Sequence, residues 1–111
     1  MALPLNVFKT IPLDVPLVGT EVYETPIGYT AIVLLAQVTN TNANIQTVSL
    51  TYNTPLGGTP IVYNYEIYPN AVLTISGGTA GKLVVETGNK LILSGSSTDL
   101  KFILSIIETL K

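Results

Sequence analysis

Tyr29-Thr-Ala-Ile-Val-Leu-Leu-Ala-Gln-Val-Thr39 holds the longest unbroken apolar run of the chain, Ala31 to Ala36. A helix fits the pattern taken alone. The β-branched residues and the flanking Gly28 and Asn40 point instead to a strand. Apolar residues at consecutive positions imply burial on both faces or a central place in a sheet. At six residues the run falls far short of the ~18 that a membrane span requires.

On either side the chain keeps the rhythm of strands and turns. Glu21-Val-Tyr-Glu-Thr25 reads as a short strand ended by Pro26, with Pro26-Ile-Gly28 as its turn. Asn40-Thr-Asn-Ala-Asn44 is a loop, because Asn tolerates left-handed backbone and caps its own turn. Ile45 to Asn53 alternates with period two, Val48, Leu50 and Tyr52 on one face and Thr47, Ser49 and Thr51 on the other. Thr54 to Pro60 is a turn-rich loop. Ile61 to Tyr68 alternates again, Ile61, Tyr63, Tyr65 and Ile67 opposing Val62, Asn64, Glu66 and Tyr68.

Ala71 to Ile75 forms another short strand ahead of the Gly-rich Ser76–Gly81. Gly88-Asn89 has the signature of a two-residue hairpin turn between Lys82–Thr87 and Lys90–Ser94. Leu100 to Leu110 closes the chain. Ile103, Ile106, Ile107 and Leu110 would also suit a helix, and the strand is preferred. Roughly eight short strands at spacings of about 8–12 residues predict an all-β, antiparallel β-sandwich of jelly-roll-like form over residues 19–111.

Residues 1–18 stand apart from this rhythm. Pro4, Pro12 and Pro16 each fix φ and remove a backbone donor, which predicts an extended N-terminal arm with no regular ladder and few contacts in the isolated domain. Its apolar side chains still need cover, from the domain itself or from a neighbour. Leu3, Leu5, Phe8, Ile11 and Leu13 are therefore candidate interface residues, together with Tyr68. The first residues lack the basic start and apolar core of a signal peptide.

Chemistry-bearing side chains are scarce. The 57 residues from Thr25 to Gly81 hold one charged group, Glu66, and the whole chain has no His, Cys, Arg or Trp. Proton transfer and nucleophilic catalysis draw mostly on imidazole, thiolate, guanidinium or clustered carboxylates. The expectation is a protein that is not an enzyme, with no catalytic residue, no metal and no cofactor. A net charge of −2 and five scattered lysines give nucleic acid no basic patch to bind.

Ser76-Gly-Gly-Thr-Ala-Gly-Lys82 resembles a phosphate loop only in outline, since Leu83 stands where a magnesium-binding Ser or Thr is needed. Glu21 and Glu24, three apart on a strand, should point to opposite faces. Asp14, Asp99 and Glu66 could hold calcium only if folding gathered them. Tyr52, Tyr63, Tyr65 and Tyr68 are the one constellation with binding potential, since Tyr pairs a flat apolar ring with a hydroxyl. Parity with Ile61 and Ile67 assigns Tyr63 and Tyr65 to the core and leaves Tyr68 at the surface.

Charged residues make up 11% of the chain, against roughly 25–35% in a well-solvated surface. Part of the exterior is thus expected to be covered by another subunit. Tyr23-Glu-Thr-Pro26, Ile67-Tyr-Pro69, Val72-Leu-Thr-Ile75, Gly81-Lys-Leu-Val-Val-Glu-Thr-Gly88, Leu91-Ile-Leu-Ser94 and Leu104-Ser-Ile-Ile-Glu108 together resemble the small β-sandwich virion proteins of tailed bacteriophages. The resemblance spans about residues 20–110 and rests on strand rhythm and turns. Asn89 stands where such proteins often have Asp.

That resemblance implies a non-enzymatic virion structural protein, in first place a capsid decoration (cement) protein binding the head surface as an oligomer. It implies homo-oligomerisation, with a trimer preferred, contact with the major capsid protein or other virion proteins, no membrane, and assembly in the host cytoplasm. The alternatives are a tail, neck, baseplate or fibre component, or a carbohydrate-binding β-module using exposed Tyr.

Overall fold

The computed structural model describes residues 5–77 and 81–111. Its nine strands are β1 (Asn6–Asp14), β2 (Thr20–Glu24), β3 (Tyr29–Asn40), β4 (Gln46–Thr54), β5 (Gly57–Ile67), β6 (Val72–Ser76), β7 (Leu83–Val85), β8 (Lys90–Gly95) and β9 (Leu100–Leu110). One sheet runs β1-β9-β3-β6, with β7 also paired to β3; the other runs β2-β8-β4-β5. Every pairing is antiparallel.

The pairings are nested. The β4–β5 hairpin is innermost, β3 with β6 and β7 flank it, then β2 pairs β8, and β1 pairs β9 outermost. A long antiparallel ribbon rolled so that successive pairs fall alternately into two sheets gives this order, which is a jelly roll with β7 added. The all-β, antiparallel β-sandwich fold expected from the strand rhythm is therefore what the chain adopts.

Strand β3 is central. Ala31, Val33, Ala36 and Val38 point into the interior, while Ile32 and Leu35 lie half-buried on the outer face. The run of consecutive apolar residues thus serves an inner face and an apolar outer face together. A bulge at Leu34 separates the two halves of its register with β9. Leu50, Leu91 and Leu93 come from the facing sheet and meet Phe102, Leu104 and Ile106 of β9 in one core.

Four expectations are corrected. Residues 6–14, expected to be an arm without a ladder, form β1, in register with β9 from Asn6↔Thr109 to Asp14↔Lys101. A strand at a sheet edge has one row of backbone groups unpaired, so Pro12 is tolerated there. The other strand proline, Pro60, also lies on an edge strand, β5. Thr54–Pro60 is mostly strand, closed by a tight turn at Pro55 and Leu56. The turn expected at Gly88-Asn89 falls one residue earlier, at Thr87-Gly88, where Asn89 N–H donates to Glu86 O at 3.0 Å, and it joins strands of different sheets. Finally, Glu21 and Glu24 are both exposed beside Lys90. A bulge between Glu21 and Tyr23 lets both Val22 and Tyr23 pack on the core, which returns the glutamates to one face.

Asn40 ties the two sheets together at one end. Fully buried, its amide donates to Ile67 O at 2.8 Å and Asn44 O at 3.0 Å, and its Oδ1 accepts from Asn42 N–H at 2.8 Å. Its backbone exchanges hydrogen bonds with Asn70 and Ala71. One side chain therefore anchors the end of β3, the following loop and the end of β5.

Candidate functional site

The hairpin β4–β5 builds the first surface of interest. In its register Val48 opposes Tyr65 and Leu50 opposes Val62, so Ser49 alone faces both Tyr63 and Asn64. Asn64 takes a left-handed backbone, φ 47°, and the Ser49 hydroxyl accepts its N–H at 2.8 Å. This bulge shifts the side-chain parity of β5. Val62 takes the inward place that simple alternation gives to Tyr63. Tyr65 keeps the register of Val48 but lies on an uncovered edge. Tyr63 and Tyr65 are 73% and 53% exposed, which corrects their assignment to the core.

Tyr68, at 63% exposure, joins them at the surface as expected. With Thr47, Asn64 and Glu66 the three tyrosines line an open groove of about 540 Å³. Glu66 and Thr47 are direct cross-strand neighbours. Tyr52, the fourth member of the sequence constellation, has a structural part instead. Its hydroxyl accepts from Glu86 N–H at 3.1 Å and from Asn89 Nδ2 at 3.0 Å, and its ring packs on the core.

The second surface is the outer face of the five-stranded sheet. Phe8 opposes Ile107, Ile107 opposes Ile32, and Ile32 opposes Val84. These cross-strand neighbours share the outward face and make one apolar row across β1, β9, β3 and β7. Its ends are the most open: Phe8 is 72% exposed and Val84 48%. Leu34, projecting from the bulge, lies on the same strand. The facing sheet presents Thr47, Ser49, Thr51, Ser94 and Lys90 outward, with Ile92 among them.

The remaining expected interface residues divide. Leu5 is exposed, whereas Ile11 and Leu13 point inward and pack against the core, so of the two sources of cover the domain itself supplies theirs. Leu3 lies outside the described residues, as do positions 78–80 of the glycine-rich loop. Asp14 pairs with Lys101 at 2.9 Å, Asp99 accepts from Asn42 Nδ2 at 2.8 Å, and Glu66 lies in the tyrosine groove of the other sheet. Folding does not gather these three carboxylates. Among the described residues no group of three or more His, Cys, Asp and Glu is placed to hold a metal ion.

An ionic cluster not anticipated from the sequence lies inside. Glu108, 2% exposed, accepts from the Tyr23 hydroxyl at 2.6 Å and pairs with Lys9 Nζ at 3.2 Å. Burial, then the hydrogen bond and charge of Glu108, hold the Tyr23 hydroxyl well above the usual phenol range. The signal was present in β9, where Phe102, Leu104, Ile106 and Glu108 occupy alternate positions. A carboxylate continuing an inward apolar series must find partners inside.

No family model, no curated protein and no solved structure matches this chain. No helix among the described residues is long and apolar enough to cross a membrane.

Proposed function

We propose that the protein is a non-enzymatic structural component of a virion, in first place a capsid decoration protein bound to the head surface as a homo-oligomer. The observation that carries this reading is the apolar row Phe8–Ile107–Ile32–Val84. It gives a self-associating sheet a continuous strip to bury, and a second copy of the chain is the occupant the geometry favours. The row reaches the free edge of β1, whose unpaired backbone groups invite a further strand. One neighbour could therefore cover both.

Two further points support the reading. Jelly rolls recur among viral coat proteins and lectins, an analogy at the level of fold alone. The sequence resemblance to tailed-phage virion proteins runs through β2 to β9.

Sedimentation of the full-length protein at micromolar concentration tests the assembly. The expected result is an oligomer that Phe8→Asp combined with Val84→Asp converts to a folded monomer. A wild-type monomer, or an oligomer indifferent to those changes, overturns it. The place in the particle is tested by copy number in purified virions. A decoration protein follows the capsid lattice, whereas a neck, tail, baseplate or fibre part follows the smaller number of those structures.

A further inference from the structure

We infer that the groove lined by Tyr63, Tyr65, Tyr68, Asn64, Glu66 and Thr47 is a binding site for a neutral saccharide. Three tyrosines, each at least half exposed, line one concavity along the edge strand β5, an unusual concentration of exposed aromatic surface. Each offers a flat ring on which the C–H face of a pyranose can stack, and a hydroxyl to exchange hydrogen bonds. Glu66 can accept from two sugar hydroxyls at once, a pairing that suits a carboxylate. Thr47 and the Asn64 amide add a hydroxyl and an NH₂ group. The mixture of flat apolar area and convergent polar groups is what a hydroxyl-rich ring requires.

The backbone supports the site. Asn64 is held with φ 47° by paired hydrogen bonds to Ser49, at 2.8 Å to Oγ and 3.2 Å between the side chains. A non-glycine residue in that conformation costs free energy and here marks the bulge that turns Tyr63 out to solvent.

The same bulge weighs against an extended peptide. Strand β5 is the open edge of its sheet, but its register with β4 shifts twice, and Pro60 removes a donor. An added strand would find no continuous ladder there. Charge narrows the saccharide. Glu66 is the only ionisable group of the lining besides the phenols, and no lysine is among the residues that form it. An acidic sugar would meet repulsion without a counter-charge.

The test uses full-length protein and a panel of neutral oligosaccharides built from glucose, galactose, mannose and N-acetylglucosamine, with sialyl-lactose as the acidic arm and a proline-rich peptide as the peptide arm. Binding is read by titration calorimetry and by amide chemical shifts. The expected result is binding to at least one neutral saccharide, with shifts confined to residues 47 and 63–68. Tyr63→Ala and Tyr68→Ala should each weaken it about tenfold, the order expected for loss of a stacked ring. Both side chains are exposed, so the melting temperature should stay unchanged and a lost signal cannot be ascribed to unfolding. No binding to any neutral saccharide, binding unaffected by both variants, or binding only to sialyl-lactose or the peptide overturns the inference. None of these readouts depends on whether the opposite sheet self-associates.

Discussion

The Tyr23 hydroxyl donates to Glu108 Oε2 at 2.6 Å across the interior, joining β2 of one sheet to β9 of the other. Lys9 of β1 completes the cluster at 3.2 Å. Three strands thus meet on one buried carboxylate. Without partners such a group would cost several kcal/mol in the low-dielectric interior.

Tyr23→Phe should lower stability at neutral pH by about 1–3 kcal/mol, because Glu108 loses a buried donor. The pH dependence follows from the raised phenol pKa. The folded state keeps its proton where the unfolded chain, at about pH 10, gives it up. The stabilisation is complete below about pH 10 and declines as pH rises toward the folded value, by roughly 1.4 kcal/mol per pH unit. Denaturant titrations from pH 8 to 11 should show the gap between wild type and Tyr23→Phe narrowing above pH 10. A constant gap would refute the linkage.

Deleting residues 1–18 should abolish cooperative folding. The deletion strips Ile11, Leu13 and the fully buried Val15 from the core and removes the cation facing Glu108. Burial of an aliphatic side chain contributes about 1.5–3 kcal/mol, and a whole domain is stable by only about 5–15. Circular dichroism and a melting curve of the truncated chain check this. A sharp transition near the wild-type temperature would return these residues to the status of a dispensable arm.

Asn40→Ala should cost about 2–4 kcal/mol, since it leaves the carbonyls of Ile67 and Asn44 and the N–H of Asn42 without their partner. Asn40→Asp should fare little better, because a carboxylate cannot donate to Ile67 O. The measurement is the denaturant midpoint of each variant. Near-wild-type stability for both would show that water replaces the amide.

Gly77→Ala should destabilise more than Gly57→Ala. Both glycines have positive φ, +105° and +138°. At Gly77 a Cβ would also drive into the Leu34 carbonyl oxygen and stand 3.2 Å from Leu35 Cα, whereas at Gly57 it meets open space. The Gly57 change should therefore show mainly the backbone cost, about 1–3 kcal/mol, and the Gly77 change should exceed it. Equal losses in paired melting experiments would mean that the β3 bulge moves aside freely.

Much of this architecture was legible in the residues. The alternation of Val48, Leu50 and Tyr52 gave the inner face of β4, because it keeps the period of two, and the Ala31–Ala36 run gave a central strand, because apolar residues at consecutive positions serve both faces of β3. Strand β1 was not legible, because proline speaks against a ladder in general and only an edge position excuses it. Bulges defeated the same period-two reading elsewhere. A single extra residue at Val22 brought two glutamates to one face, and another at Asn64 exchanged Tyr63 for Val62. The groove was visible as a tyrosine-rich segment, but its membership was set by register, which depends on the partner strand and not on β5 alone.

The nesting of strand pairs sets the order in which the molecule can be completed during synthesis. Lys9 waits for Glu108, 99 residues later, which at a ribosomal rate of roughly 10 residues per second is about 10 s. The β4–β5 hairpin can close early, while β1, carrying Phe8, Ile11 and Leu13, stays unpaired until β9 emerges. Chains stalled short of Leu100 should therefore remain protease-sensitive. On a polysome many such nascent chains lie close together, each with a free apolar β1 segment and none yet with a β9. The interval before β9 arrives is when strand exchange between neighbouring copies competes with closure of a single roll.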